Sequence, residues 1–192
     1  ADLELPAGAL VLGFVGYVRD WHRLDHVVDA LARMQGAVLC LVGEGPAEAA
    51  LRARAQERGV AERVLFRGTR PHAAIPRLLP AFDVALVPAI NPYASPLKLH
   101  EYMAAGLAVV APDQPNLREV LVHGENAWLV RPDDAGALEA ALIALAADAR
   151  LRARLGAAAR RTIAERDLTW RGNAARVVRE IESLRARGES AW

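Results

Sequence analysis

Val38-Leu39-Cys40-Leu41-Val42-Gly43-Glu44-Gly45-Pro46 is the stretch that decides the fold of this 192-residue chain. Five apolar residues in a row leave no position for water, so the run reads as a strand buried on both faces. Gly43 and Gly45 then permit a tight turn, and Pro46 suits the opening of a helix. Outward in both directions the pattern repeats. Apolar, β-rich runs fall at residues 10–18, 38–42, 64–66, 84–87, 108–111 and 127–130. Helical segments lie between them at 22–34, 47–58, 73–81, 96–105 and 116–122. Such an alternation builds right-handed crossovers in one mostly parallel sheet covered by helices on both sides. Three further helical segments follow without a strand, at 134–145, 149–166 and 169–187. The expectation is one doubly wound α/β domain with a helical tail, its ligands at the C-terminal ends of the strands.

The bulk numbers exclude several classes. A net charge of +1 sets up no global field toward nucleic acid or anionic lipid, so any anion site is local. Trp21, Trp128, Trp170 and Trp192 are not interleaved with a basic stripe, so no nucleic-acid partner is expected. Cys40 is the single cysteine, reads as an inert core residue and fits a reducing compartment. Residues 7–18 are uncharged but contain three glycines and lack a basic flank, which suits neither a signal peptide nor a membrane span. The chain opens on Ala1, and its first strand begins about ten residues later. That pattern suggests a boundary chosen at a linker of a longer protein.

Two segments carry candidate chemistry. Gly43-Glu44-Gly45-Pro46 stands where backbone amides approach a phosphate in dinucleotide folds, but the third glycine of that fingerprint is Glu48 here. On residues alone a plain strand-to-helix turn is the better reading. The second segment runs from Ser95-Pro96-Leu97-Lys98 through Leu99-His100-Glu101-Tyr102-Met103-Ala104-Ala105 to Gly106. Ser95 suits the N-cap, Pro96 the first helical position and Gly106 the C-terminal stop. Lys98 sits in the first turn, where the helix dipole disfavours a cation unless an anion compensates. It is also the only lysine of a chain that otherwise uses arginine. Glu101, three residues on, shares its face and has the geometry to accept two hydrogen bonds from a ribose diol. The alternative, favoured slightly by the residues alone, is an ordinary surface Lys98–Glu101 pair.

Taken in order, several segments resemble family 4 glycosyltransferases of the two-domain GT-B type. The segment from Ser95 to Gly106, followed by Leu107 to Pro112, resembles their signature in a form beginning Ser-Pro-Leu-Lys. Leu41 to Pro46, Val64-Leu65-Phe66-Arg67-Gly68, Ala81 to Pro88, Asn116 to Val120 and Gly124 to Val130 are similar to the family's other conserved stretches. The resemblance implies a Rossmann-like donor-binding domain, the C-terminal half of a GT-B fold, spanning residues 1–192. Its N-terminal acceptor domain would be absent from this chain. It implies transfer of a sugar from a nucleoside-diphosphate sugar to an acceptor, with retained configuration, no metal and no cofactor beyond that substrate. A cytoplasmic location is expected, peripheral at the inner membrane face if the absent half attaches there. Carried over by position, Glu101 holds the ribose, and the amides near Ser95, Pro96, Leu97 and Lys98 meet the diphosphate. Gly16 and Gly43 line the donor site, Gly68 and Arg70 belong to the base-binding turn, and Lys98 and Arg19 supply catalytic charge.

This sequence also departs from the pattern. The first glutamate of the family's Glu-x7-Glu pair, which contacts the donor sugar, falls at Tyr93. In the first loop, Tyr17 and His22 replace the family's diphosphate-gripping Arg and Lys. Arg19 and His22 are candidates to substitute for them, and a merely solvated Arg19 is an equal alternative. His22 and His26 have the one-turn spacing of metal ligands, but nothing completes a site, so no metal is expected. Two other functions remain open from sequence: a nucleotide-sugar epimerase of the same architecture, and a non-catalytic binding or scaffold domain, which the missing first glutamate motivates.

Overall fold

The computed structural model describes residues 3–187; Ala1 and Trp192 lie outside them. Six strands form one sheet: β1 (Leu10–Val15), β2 (Ala37–Val42), β3 (Val64–Phe66), β4 (Val84–Leu86), β5 (Ala108–Pro112) and β6 (Trp128–Val130). Their spatial order is β3-β2-β1-β4-β5-β6. Every pairing is parallel, where the sequence had suggested only a mostly parallel sheet. The order reverses between β1 and β4, the switch point at which doubly wound sheets open a crevice.

Side chains alternate across the sheet and build two cores. Leu12, Phe14, Leu39, Leu41, Val84 and Val110 point to one face, against α1 (Leu24–Leu31), α2 (Glu48–Glu57) and α6 (Ala135–Ala147). Val11, Val38, Cys40, Val42, Ala85 and Val109 point to the other. That face is covered by α3 (Ile75–Leu78), α4 (Leu97–Ala104), α5 (Pro115–Arg118) and α7 (Ala149–Glu165). The expected C-terminal helical tail is present, and its first two helices, α6 and α7, each also close a core. Only α8 (Trp170–Ala186) stands largely free, with Gly172 its sole buried residue. Among the described residues no helix is long and apolar enough to cross a membrane. Burial pushes the Cys40 thiol up to about 11, which keeps it protonated and inert at neutral pH.

Four helical segments are shorter than the periodicity suggests, three of them for a local reason. Asp20–His22 forms a 3-10 turn and Arg23 adopts a left-handed φ of 54°, so α1 starts only at Leu24. Pro76 and Pro80 leave α3 as one turn between two 3-10 turns. Pro96, with φ −74° and ψ 119°, occupies the cap of α4, so the helix begins at Leu97. The last of the four, α5, ends at Arg118. The expected first strand, residues 10–18, is also cut back. Gly16 turns out of it at φ 139°, and residues 16–18 leave the sheet.

Two side chains close the backbone accounting of β1. Val11 donates to Asp83 Oδ2 at 2.8 Å, and Val15 donates to the hydroxyl of Tyr102 on α4 at 2.8 Å. Tyr102 is fully buried, so this bond ties the end of β1 to the helix that follows β4. Tyr102→Phe strands the Val15 amide in a dry site and is expected to cost about 1–3 kcal/mol of stability, read by denaturant or thermal unfolding.

Candidate functional site

The loops after β1 and β2 lie against each other by direct backbone contact. Gly16 donates to the Val42 carbonyl at 2.9 Å, Val18 to Glu44 at 2.9 Å, and Gly43 to Gly68 at 2.9 Å. A Cβ on Gly43 would stand 2.1 Å from the Gly16 oxygen, and one on Gly45 would stand 2.1 Å from the Val18 oxygen. Glycine is needed at both positions because no side chain fits between the two loops. The Gly43 amide is thereby committed inside the protein. Beside this junction opens a cleft of about 290 Å³ over the ends of β1, β2 and β3. Gly16, Tyr17, Gly43, Thr69, Arg70 and His72 are among its lining residues.

The first turn of α4 borders the same region. Ser95 is exposed and, with Pro96 as the cap, lies one position outside the helix and makes no capping bond. The Leu97 and Lys98 amides open the helix and have no intrahelical acceptor. At the other end Gly106 (φ 74°) closes it as anticipated: Gly106 donates to Met103 and Leu107 to Tyr102, a Schellman stop.

The Lys98 side chain leans back over β1, its ammonium 3.9 Å from the centroid of the Phe14 ring. A Cβ on Gly16 would come within 2.8 Å of Nζ, so the glycine makes room for the cation. Among the described residues Lys98 has no ion pair or side-chain hydrogen bond, and the surface pair with Glu101 is not formed. Burial lowers its pKa to about 8, and the Glu101 charge opposes that shift. Glu101 faces outward across the cleft instead, its Oε1 3.7 Å from Nε2 of the exposed His72.

His22 and Arg19 part company. His22 is buried, its ring edge-on to Phe14 at 4.8 Å and tilted against Trp21 at 3.9 Å. Its Nδ1 accepts from the Arg19 amide at 3.2 Å, which assigns the proton to Nε2. Burial first, then the Lys98 charge, lowers its pKa to about 3. In the free protein His22 therefore carries no charge at neutral pH. The exposed Arg19 guanidinium lies over the Tyr17 ring at 4.7 Å and lines a separate cleft between α1 and α2. Tyr93 is 86% exposed.

Gly16, Gly43 and Arg70 thus share one cleft, with Lys98 against Gly16 and Glu101 reaching the cleft through His72. Gly68 forms the adjoining turn at φ 62°. The sequence reading did not single out Phe14, which seats the Lys98 ammonium, or His72, which faces Glu101. Phe14 looks like any other core position of an apolar strand, and His72 sits in a turn with no distinguishing pattern.

The family model of the glycosyl transferases group 1 matches residues 1–162. The chain belongs to this family. It is 32% identical over 190 residues to the 2-deoxystreptamine N-acetyl-D-glucosaminyltransferase of Streptomyces fradiae, which covers 96% of this chain and 44% of that protein. Among solved structures it resembles the sucrose-phosphate synthase of Thermosynechococcus elongatus, at TM-score 0.83 and 28% identity over 96% of this chain and 48% of that one. It also resembles Anabaena HepE in complex with UDP, at TM-score 0.77 and 25% identity over 83% of this chain and 45% of that one. The chain spans less than half the length of each of these relatives.

The buried neutral His22 has a consequence for stability in this group 1 domain. Its folded pKa lies below the unfolded value near 6.5, so the unfolded state takes up the proton first. The stabilisation is complete above pH 6.5 and is lost as pH falls toward 3. In that window the wild type is expected to lose stability faster than His22→Gln, by up to about 1.4 kcal/mol per pH unit, in unfolding titrations at stepped pH.

Proposed function

We propose that this chain is the donor-binding half of a family 4, GT-B glycosyltransferase that moves a sugar from a nucleoside-diphosphate sugar to an acceptor. Transfer is retaining and metal-independent, and the acceptor is held mainly by an N-terminal domain outside this chain. The observation that carries the reading is Lys98: a cation at the start of a helix, seated on Phe14 and against Gly16, without a carboxylate partner. A cation so placed is unfavourable to the free protein and favourable once an anion arrives. The UDP bound to the HepE relative supports a nucleoside diphosphate as that anion.

In this reading the base lies against the turn at Gly68 and Arg70, and Glu101 accepts from the ribose hydroxyls in place of its loose contact with His72. The diphosphate meets Lys98, the Leu97 and Lys98 amides and the backbone around Gly16, Ser95 and Pro96. As the bond from sugar to phosphate breaks, negative charge grows on the leaving diphosphate. In this reading Lys98 and the helix-end amides stabilise that charge. Arg19 contributes if the arriving phosphate draws it off the Tyr17 ring.

Three measurements test this. Lys98→Gln is expected to leave the melting temperature of the free protein unchanged or slightly higher while weakening UDP by roughly 1.5–3 kcal/mol and uridine far less. Equal loss for UDP and uridine rejects the phosphate contact. Glu101→Ala is expected to cost about 1–3 kcal/mol for both ligands, since both carry the ribose diol. The free-state Lys98 pKa near 8 sets a pH dependence. A bound diphosphate raises that pKa, so affinity is full below pH 8 and falls as pH rises past it. Lys98→Arg is expected to abolish the decline in titration calorimetry.

A further inference from the structure

The cleft over β1, β2 and β3 carries two charged side chains that the proposed phosphate and ribose contacts do not use. Glu44 lies in the loop after β2 and Arg70 in the turn after β3, and both line the cleft. Among the described residues neither forms an ion pair, with the other or with a third group. Glu44 Oε1 accepts from the Thr69 amide at 3.4 Å, and Arg70 Nη1 donates to the Thr69 carbonyl at 3.5 Å, both long for hydrogen bonds. At about 290 Å³ the cleft has the scale of a base rather than of a whole nucleotide.

The walls of the cleft divide into a polar side and an apolar one. Glu101, with His72 3.7 Å away, marks the ribose end. Glu44 belongs to the wall at the turn: a Cβ on Gly68 would lie 3.5 Å from its Oε1, so the bare glycine lets the carboxylate rest against the turn backbone. Glu44, Thr69 and Arg70 thereby gather their polar groups at one place. Val42 and Ile75, both buried, and Val15 supply apolar surface for the face of a ring.

A carboxylate and a guanidinium in one cleft, unpaired, suit a ring with two different edges. An ionised carboxylate only accepts, at two oxygens, and a guanidinium only donates, through a planar fork. Guanine alone among the common bases sets two adjacent donors, N1–H and the 2-amino group, beside two adjacent acceptors, O6 and N7. Uracil has a single donor, N3–H, flanked by two carbonyl oxygens that repel a carboxylate. Adenine and cytosine each offer one amino group next to bare ring nitrogens, which a carboxylate also opposes.

We propose that Glu44 and Arg70 select guanine, which makes the donor a guanosine-diphosphate sugar. Glu44 accepts from N1–H and the 2-amino group, and Arg70 donates to O6 and N7. The inference rests on the nucleotide reading of this cleft and adds the identity of the base. Lys98 and Glu101 meet diphosphate and ribose whichever base is attached, so Glu44 and Arg70 carry the discrimination.

The test is isothermal titration of wild type, Glu44→Gln and Arg70→Leu with GDP, UDP, ADP and inosine diphosphate, which is GDP without the 2-amino group. Circular dichroism checks that the variants fold, and the ranking in wild type decides without them. There GDP is expected to bind roughly tenfold or more tighter than UDP and ADP, and about fivefold tighter than inosine diphosphate. In Glu44→Gln, GDP is expected to fall to the level of inosine diphosphate, with UDP and ADP within about twofold of wild type. Arg70→Leu is expected to weaken GDP and inosine diphosphate alike, since both carry O6 and N7. If UDP or ADP binds wild type as tightly as GDP, or the gap between GDP and inosine diphosphate survives Glu44→Gln, guanine selection is overturned and the nucleotide site stands. If no nucleoside diphosphate binds, the nucleotide reading itself fails, and the base assignment falls with it.

Discussion

A parallel sheet covered by helices on both faces has only its strand ends free, and here that constraint organises everything else. With six strands in the order β3-β2-β1-β4-β5-β6, the connections leave β1 and β4 in opposite directions and open a gap above them. Phe14, near the end of β1, faces the side covered by α1, α2 and α6. Tyr102 reaches from α4 to the Val15 amide and ties the helix to that strand end. The Lys98 side chain then comes to rest on the Phe14 ring. One hydrogen bond and one ring contact thus bring a helix start from one half of the fold onto the central strand of the other.

The electrostatics of the site follow from that packing. Lys98 and His22 both lie against the Phe14 ring, and both have lowered pKa values. Burial dominates each shift, and the Lys98 charge adds to the depression at His22. Lys98 stays cationic at neutral pH because its ordinary value is high, whereas His22 becomes a neutral spacer. The centre of the site therefore holds one cation rather than two, with Arg19 outside on Tyr17. An arrangement with a single partnerless ammonium and open helix amides is suited to charge that arrives with a ligand.

The glycines show how a motif is read differently in sequence and in space. Gly43 and Gly45 invite a phosphate-loop reading, yet their lack of a side chain serves the contact with the loop after β1. Gly16, which the resemblance assigned to the donor site, stands at φ 139°, and a Cβ there would meet the Lys98 ammonium at 2.8 Å. In both cases the reason for glycine is close approach by a segment distant in the chain, which local sequence does not encode.

The sequence by itself determined the layered architecture. Runs such as Val38 to Val42 are apolar at every position, and that is only compatible with burial on both faces. It also placed Lys98 and Glu101 one turn apart on a helix with a recognisable stop at Gly106. The tertiary structure alone decided the partners: Phe14 beneath Lys98, His72 opposite Glu101, Trp21 packed on His22. It also decided that His22 is neutral in the free protein and that α6 and α7 each close a core. The physical reason is common to all of these. Periodicity and capping are written in neighbouring residues, whereas contacts, burial and the pKa values they shift depend on segments that meet only when the sheet is assembled.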